Sequence, residues 1–318
     1  MRVLILGLSS IASRRVVPAL LALGNVEGID VATKKAASGD QIDWPHGRVF
    51  EDYAAALDHS EATAVYISLV NSEHGPWTEA ALRRGRHVVV DKPAFLGLDV
   101  TERMLELATK QDVCLAEATV VGYHPQVRFL HDQFAASGGG PTRINATLSF
   151  PPMDPANFRY RRSLGGGALW DLGPYASVLG RLFYEDEPRD LCCQVLARGG
   201  ADAADIAFSM MAGFADGRSI AGHFGFDTVY RNRLDAIGSE LGADMDRFFT
   251  TLPDMQNDVR LTTKAGTTTV AAPAGDAFGC FFAHVFASIA DRRWGQLADD
   301  LHQDARTLER LRQAAGVL

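Results

Sequence analysis

Residues 65–93 read VYISLVNSEHGPWTEAALRRGRHVVVDKP, and three elements are legible in them. Over Ala64–Leu69, Val65, Ile67 and Leu69 alternate with smaller or polar residues, which is the period of a strand. Trp77–Arg84 suits a helix, and Gly85 follows it as a residue able to take the left-handed turn that closes one. His87–Val90 holds the β-branched run Val88-Val89-Val90 and reads as a second strand. Strand, helix and strand in this order make one unit of a parallel sheet, because parallel neighbours need a crossover.

The same alternation continues on both sides. Upstream lie the apolar run Val3–Leu6, a helical pattern over Ile11–Leu23 with a bend expected at Pro18, and a strand at Ile29–Thr33. Downstream come a helix at Asp99–Gln111 and a strand at Val113–Glu117. After about residue 120 the pattern changes. Ile144–Phe150, Leu191–Leu196, Ile206–Phe214, Ser219–Phe226, Asn232–Ile237 and Val259–Thr263 read as strands, interrupted by one helix at Ala168–Phe183. Gly213 and Gly217 bracket Asp216, a hairpin-turn signal, so a mostly antiparallel sheet is expected. Helices at Phe278–Asp291 and Gln296–Ala315 close the chain. The expected fold class is α/β in two domains, 1–120 and 121–318, with the terminal helices packing back.

Composition narrows the function classes. The net charge of −8 gives no support to nucleic-acid binding, which needs an excess of cations. The first apolar run stops at Gly7, and no stretch approaches the roughly 18 apolar residues of a membrane span, so neither a leader nor a membrane anchor is expected. Cys114, Cys192, Cys193 and Cys280 have no metal-site spacing, and no metal is expected. They read as reduced, buried thiols of a cytoplasmic protein.

The loop after the first strand reads Gly7-Leu8-Ser9-Ser10-Ile11-Ala12. A dinucleotide fingerprint wants G-x-G-x-x-G/A between a strand and a helix, where the helix N-terminus meets a pyrophosphate. Its first glycine and final alanine are present, and Ser9 replaces the middle glycine. Taken alone, the hexapeptide reads equally as a plain strand-to-helix turn. Cofactor choice turns on the end of the second strand, where NAD enzymes place an acid for the ribose. Here Thr33-Lys34-Lys35 offers a hydroxyl and two cations, which suit a 2′-phosphate and favour NADP(H) over NAD(H). Asp30 is the rival acid, and a solvated loop is the alternative for the lysines.

Three further motifs carry a resemblance. Asn71 to His74 forms a turn between a strand and a helix; Asp91-Lys92-Pro93 ends a strand; and Gly122-Tyr123-His124-Pro125-Gln126 precedes Leu164-Gly165-Gly166-Gly167-Ala168-Leu169-Trp170-Asp171-Leu172-Gly173-Pro174-Tyr175. Their order and spacing resemble the glucose-fructose oxidoreductase / inositol dehydrogenase (Gfo/Idh/MocA) family. The resemblance implies a Rossmann domain followed by an α/β domain with an open, mostly antiparallel sheet. It implies that Lys92, Tyr175 and Asp171 are catalytic. Gly7, Ser9, Ser10, Ile11, Ala12, Thr33, Lys34, Asn71, His74 and Lys92 would then line the cofactor. His124 is left as either a loop-holding or a functional histidine.

The chemistry fits those residue types. Reducing a ketone needs a hydride and a proton, and a tyrosine, with an ordinary pKa of about 10, carries one at neutral pH. A neighbouring ammonium eases its release. Ser10-Ile11-Ala12-Ser13-Arg14, Asn157-Phe158-Arg159-Tyr160 and Tyr230-Arg231-Asn232-Arg233 resemble the sugar 3-ketoreductase and dihydrodiol dehydrogenase-like branches. The expected activity is hydride transfer to or from a sugar or nucleotide-sugar. Arg159, Arg162, Arg231 and Tyr175 would meet the substrate, the arginines through its diphosphate; surface ion pairs are the alternative for each arginine. Reduction of another small carbonyl or diol, or a non-catalytic cofactor-binding regulator, are the competing readings. The open sheet is expected to join copies into a homo-dimer or tetramer.

Overall fold

The computed structural model describes residues 1–34, 44–45 and 47–317. By internal contacts they divide into two units, Met1–Ala118 with Phe278–His302, and Thr119–Ala277 with Gln303–Leu318.

The first unit is built on six parallel strands: β1 (Arg2–Leu6), β2 (Gly28–Ala32), β3 (Val49–Phe50), β4 (Ala64–Ile67), β5 (His87–Val90) and β6 (Leu115–Glu117). Their order is β3-β2-β1-β4-β5-β6. The chain winds outward from β1 to β3 and returns to lay β4 beside β1, with Leu6 opposite Ile67. The strand ends at this reversal form the crevice where open α/β sheets bind ligands. The strands are almost continuously apolar because both faces are covered: Leu4, Leu6, Val65, Ile67, Val88 and Val90 belong to one core cluster.

The helices differ in detail from expectation. The first opens as a π-turn over Ala12–Val16 and continues as α1 (Val17–Ala22). The wide turn sits immediately before Pro18, whose missing N–H cannot hold the regular ladder. After α2 (Tyr53–His59), α3 (Asn71–Leu82) starts six residues earlier than its apolar pattern indicates, with Pro76 inside it. α4 (Leu98–Gln111) matches its periodicity. α8 (Ala277–Ala290) lies almost wholly in the first unit: Phe282 packs edge-on against Tyr66 with ring centroids 5.7 Å apart.

In the second unit, α5 (Pro125–Ala136) precedes β7 (Arg143–Ser149), and α6 (Ala168–Asp171) and α7 (Gly173–Tyr184) follow it. Then come β8 (Asp190–Gly199), β9 (Ala204–Gly213), β10 (Ser219–Gly225), β11 (Arg231–Ile237), β12 (Gly242–Asp246), β13 (Asp258–Thr263) and β14 (Gly266–Ala271). Their order is β14-β13-β12-β11-β7-β10-β9-β8; β7 and β10 pair in parallel and all other neighbours antiparallel. One face carries Ile144, Leu148, Phe208, Phe224 and Leu234 into a core with Leu130, Leu169, Leu179 and Leu311. On the other face Leu196 and Met211 remain 49% and 59% exposed. Leu311 comes from α9 (Gly295–Ala314), whose residues after His302 belong to this unit.

The expectation of buried thiols holds only at Cys114, whose pKa burial pushes up to about 12. Cys192 and Cys280 are exposed, because strand β8 and helix α8 each turn one row of side chains to solvent. Among the described residues no helix is long and apolar enough to cross a membrane, and no cluster of His, Cys, Asp or Glu could hold a metal.

Candidate active site

Gly7 leaves β1 with a positive φ of 91°, and a Cβ there would lie 2.3 Å from the Ser68 carbonyl oxygen. Glycine is required on both counts. Ser9 does more than replace a glycine. Its hydroxyl accepts from the Ala12 N–H at 3.1 Å and shares a hydrogen bond of 2.6 Å with the Ser68 hydroxyl. Ala12 is fully buried, whereas Ser10 and Ile11 are exposed at the helix start. N–H groups in a first turn lack partners within their own helix, so this loop suits a pyrophosphate.

In the middle of β2, Asp30 is 1% exposed and already engaged. Its carboxylate accepts from the Arg48 N–H at 2.9 Å and the Ser60 hydroxyl at 2.6 Å. That removes it as a ribose ligand. Thr33 is buried, its N–H donating to the Phe50 carbonyl at 2.9 Å. The exposed Lys34 places its ammonium 5.5 Å from the centre of the Tyr53 ring. Lys35 lies outside the described residues.

Asn71 is buried at the start of α3. His74 is fully buried, with Nδ1 2.9 Å from the Pro93 carbonyl oxygen and Nε2 3.1 Å from that of Leu69. Burial holds its pKa below the ordinary imidazole value, against the opposing pull of Asp91 and of the carbonyls. Both ring nitrogens face backbone carbonyls, so His74 braces the turns after β4 and β5. Lys92 stands half-buried at the end of β5, and the Lys92–Pro93 peptide is cis. The carboxylate of Asp91 accepts from the hydroxyls of Tyr66 and Ser68. Desolvation pushes its pKa up, opposed by those hydroxyls, by His74 and by Lys92.

In the second unit the chain folds back tightly before α6. A Cβ on Gly166 would lie 2.5–2.7 Å from the carbonyl oxygens of Phe158, Arg159 and Arg161. Across this fold Arg159 donates from Nε to Asp171 at 2.7 Å. Burial lowers the pKa of Arg159, but Asp171 and Tyr175 outweigh it and the net shift is upward. Tyr175 follows Asp171 by about one helical turn and packs edge-on against Phe249 at 5.6 Å. Arg162 and Arg231 are exposed. His124 is buried and caps α5, accepting from the Gln126 N–H at 3.1 Å, a loop-holding arrangement. Arg159, Asp171 and Tyr175 were each legible as candidates. Their association was not, and neither was the link from Ser9 through Ser68 to Asp91.

The model of an oxidoreductase family with an NAD-binding Rossmann fold matches residues 1–119, and that of the GFO/IDH/MocA C-terminal domain matches residues 136–243. The chain belongs to the Gfo/Idh/MocA oxidoreductase family. A dTDP-3,4-didehydro-2,6-dideoxy-alpha-D-glucose 3-reductase of Streptomyces violaceoruber is 32% identical over 279 residues, 87% of this chain and 81% of that one. A D-xylose 1-dehydrogenase (NADP(+)) of Haloferax volcanii is 31% identical over 56% of each chain. Among solved structures, a 3-ketoreductase from Actinomadura kijaniata in complex with NADP and TDP-benzene superposes with a TM-score of 0.89 at 26% identity. That match covers 99% of this chain and 98% of the other.

Proposed function

We propose that this protein uses NADPH to reduce a keto group on a nucleotide-linked hexose, as a dTDP-sugar 3-ketoreductase does. One observation carries the reading: the chain has Lys92, Asp171 and Tyr175 on a fold that spans 98% of an NADP-bound 3-ketoreductase. When bound, NADPH supplies the hydride. Backbone N–H groups at Ser10 and Ile11 would hold the pyrophosphate, with Gly7, Ser9 and Ala12 shaping the loop. Thr33 and Lys34 would take the 2′-phosphate, and Asn71 would contact the cofactor.

The proton comes from Tyr175. Its phenolic proton would go to the substrate oxygen as negative charge develops there. Lys92 hydrogen-bonds the substrate oxygen and favours its developing charge. The Arg159 cation, coupled to Tyr175, favours the tyrosinate left behind. Asp171 holds Arg159 in place and acts through it. With Arg159 so engaged, the exposed Arg162 and Arg231 are the guanidiniums assigned to the substrate diphosphate. The test is NADPH consumption with dTDP-linked 3-keto-hexoses. Turnover confined to substrates without a nucleotide would overturn the nucleotide-sugar reading.

A second reading, dehydrogenation of a free aldose, is favoured by the xylose dehydrogenase relative and by the ion pair that withdraws Arg159 from a diphosphate. We also infer that the open face bearing Leu196 and Met211 pairs with a second copy of the chain. Light scattering that finds a monomer overturns this.

A further inference from the structure

The fingerprint glycine replaced by Ser9 lies in a chain of polar groups that runs across the switch point of the sheet. Asp91 lies in the turn carrying Lys92, and both oxygens of its carboxylate accept a hydroxyl hydrogen bond. Tyr66 and Ser68 are the two donors. The single hydroxyl proton of Ser68 is thereby committed. The proton in the 2.6 Å bond between Ser68 and Ser9 must come from Ser9. The Ser9 oxygen is then left to accept the Ala12 N–H at 3.1 Å. Every bond points the same way, from Ala12 through Ser9 and Ser68 to Asp91.

We propose that this directed relay fixes the cofactor loop to the Asp91-Lys92-Pro93 turn, and that Ser9 and Ser68 are positioning residues for the bound dinucleotide. The proposal rests on the loop being the NADPH site. Two consequences separate it from the view that Ser9 is a tolerated small residue. First, Ser9 has no proton left for a phosphate, so at this position the loop offers the pyrophosphate no side-chain donor. Second, a glycine at this position, although it restores the fingerprint and frees the Ala12 N–H, cuts the loop from Ser68. The backbone anchors on either side, Gly7 N–H to Ala32 and Ser68 N–H to Leu6, both 2.9 Å, remain in any such variant. The hydroxyl link can therefore be removed without unmaking the sheet.

The test is a double-mutant cycle read by NADPH fluorescence titration on the whole chain, with thermal melting to check folding. Ser9→Ala and Ser9→Gly should each weaken NADPH binding by about five- to ten-fold, the size of one hydrogen bond in a charged network. Ser68→Ala should do the same, and Ser9→Ala with Ser68→Ala should be no weaker than the weaker single variant. Unchanged or tighter binding by Ser9→Ala or Ser9→Gly overturns the relay, as do single effects that multiply in the double variant. The two Ser9 variants decide the matter alone if Ser68→Ala does not fold. A wild-type chain that does not bind NADPH sinks the cofactor reading itself, whereas wild-type binding with unaltered Ser9 variants sinks only the relay.

Discussion

Arg159 donates from its Nε to the Asp171 carboxylate across 2.7 Å, and with exposures of 29% and 8% the pair is largely withdrawn from water. It joins the turn after Asn157 to the end of α6, close in sequence to Tyr175. Removing one member of a buried pair leaves an uncompensated charge. Asp171→Ala should lower stability by about 2 kcal/mol, less than for a fully buried pair because Arg159 keeps some solvent. Urea unfolding of both singles and the double measures this: the double should cost less than the sum. Additive effects would show that the pair contributes nothing.

Lys92→Ala and Tyr175→Phe should each reduce kcat by about 10²- to 10⁴-fold, the range of acid–base groups, while NADPH affinity stays within a few-fold. A loss below about ten-fold for either variant would contradict its assigned role.

The cofactor end gives a paired expectation. Lys34→Glu should cut kcat/KM for NADPH by roughly ten-fold or more and leave NADH less affected, because it sets a carboxylate against the 2′-phosphate. Asp30→Asn should leave the preference unchanged and lower the melting temperature, since Asp30 is spent on Arg48, Ser60 and Arg2. A switch in cofactor preference on changing Asp30 would reverse that assignment.

His74 supplies a pH dependence. Its folded pKa lies below the ordinary imidazole value of about 6.5, so under acid conditions the unfolded chain binds a proton that the folded chain does not. Its contribution to stability is therefore present above about pH 6.5 and falls away as the pH drops below it. Melting temperatures should decline over that range in wild type and less steeply in His74→Asn. Equal slopes would remove His74 as the cause.

The parts of the fold legible in the sequence are those with local signals. β5 was readable from three consecutive valines and α4 from its amphipathic period. β14, all but one of whose residues are exposed, has no apolar face to announce it. α5 was hidden inside the His124-Pro125-Gln126 motif, although Pro125 at its start and His124 as its cap are both helix-opening signals. The parallel pairing of β7 with β10 and the placement of α8 in the first unit depend on long-range packing that no window of sequence contains. The site follows the same rule. Lys92 and Tyr175 stood out through motifs, while the Arg159–Asp171 pair required a backbone fold that only a glycine at position 166 admits.

The most direct measurement is the steady-state rate of NADPH oxidation with a dTDP-linked 3-keto-hexose, run beside NADH and beside Tyr175→Phe. Turnover that favours NADPH over NADH in kcat/KM and collapses in Tyr175→Phe is the expected result. Tight NADPH binding without oxidation on any keto-sugar would contradict it and point instead to a cofactor-binding regulator.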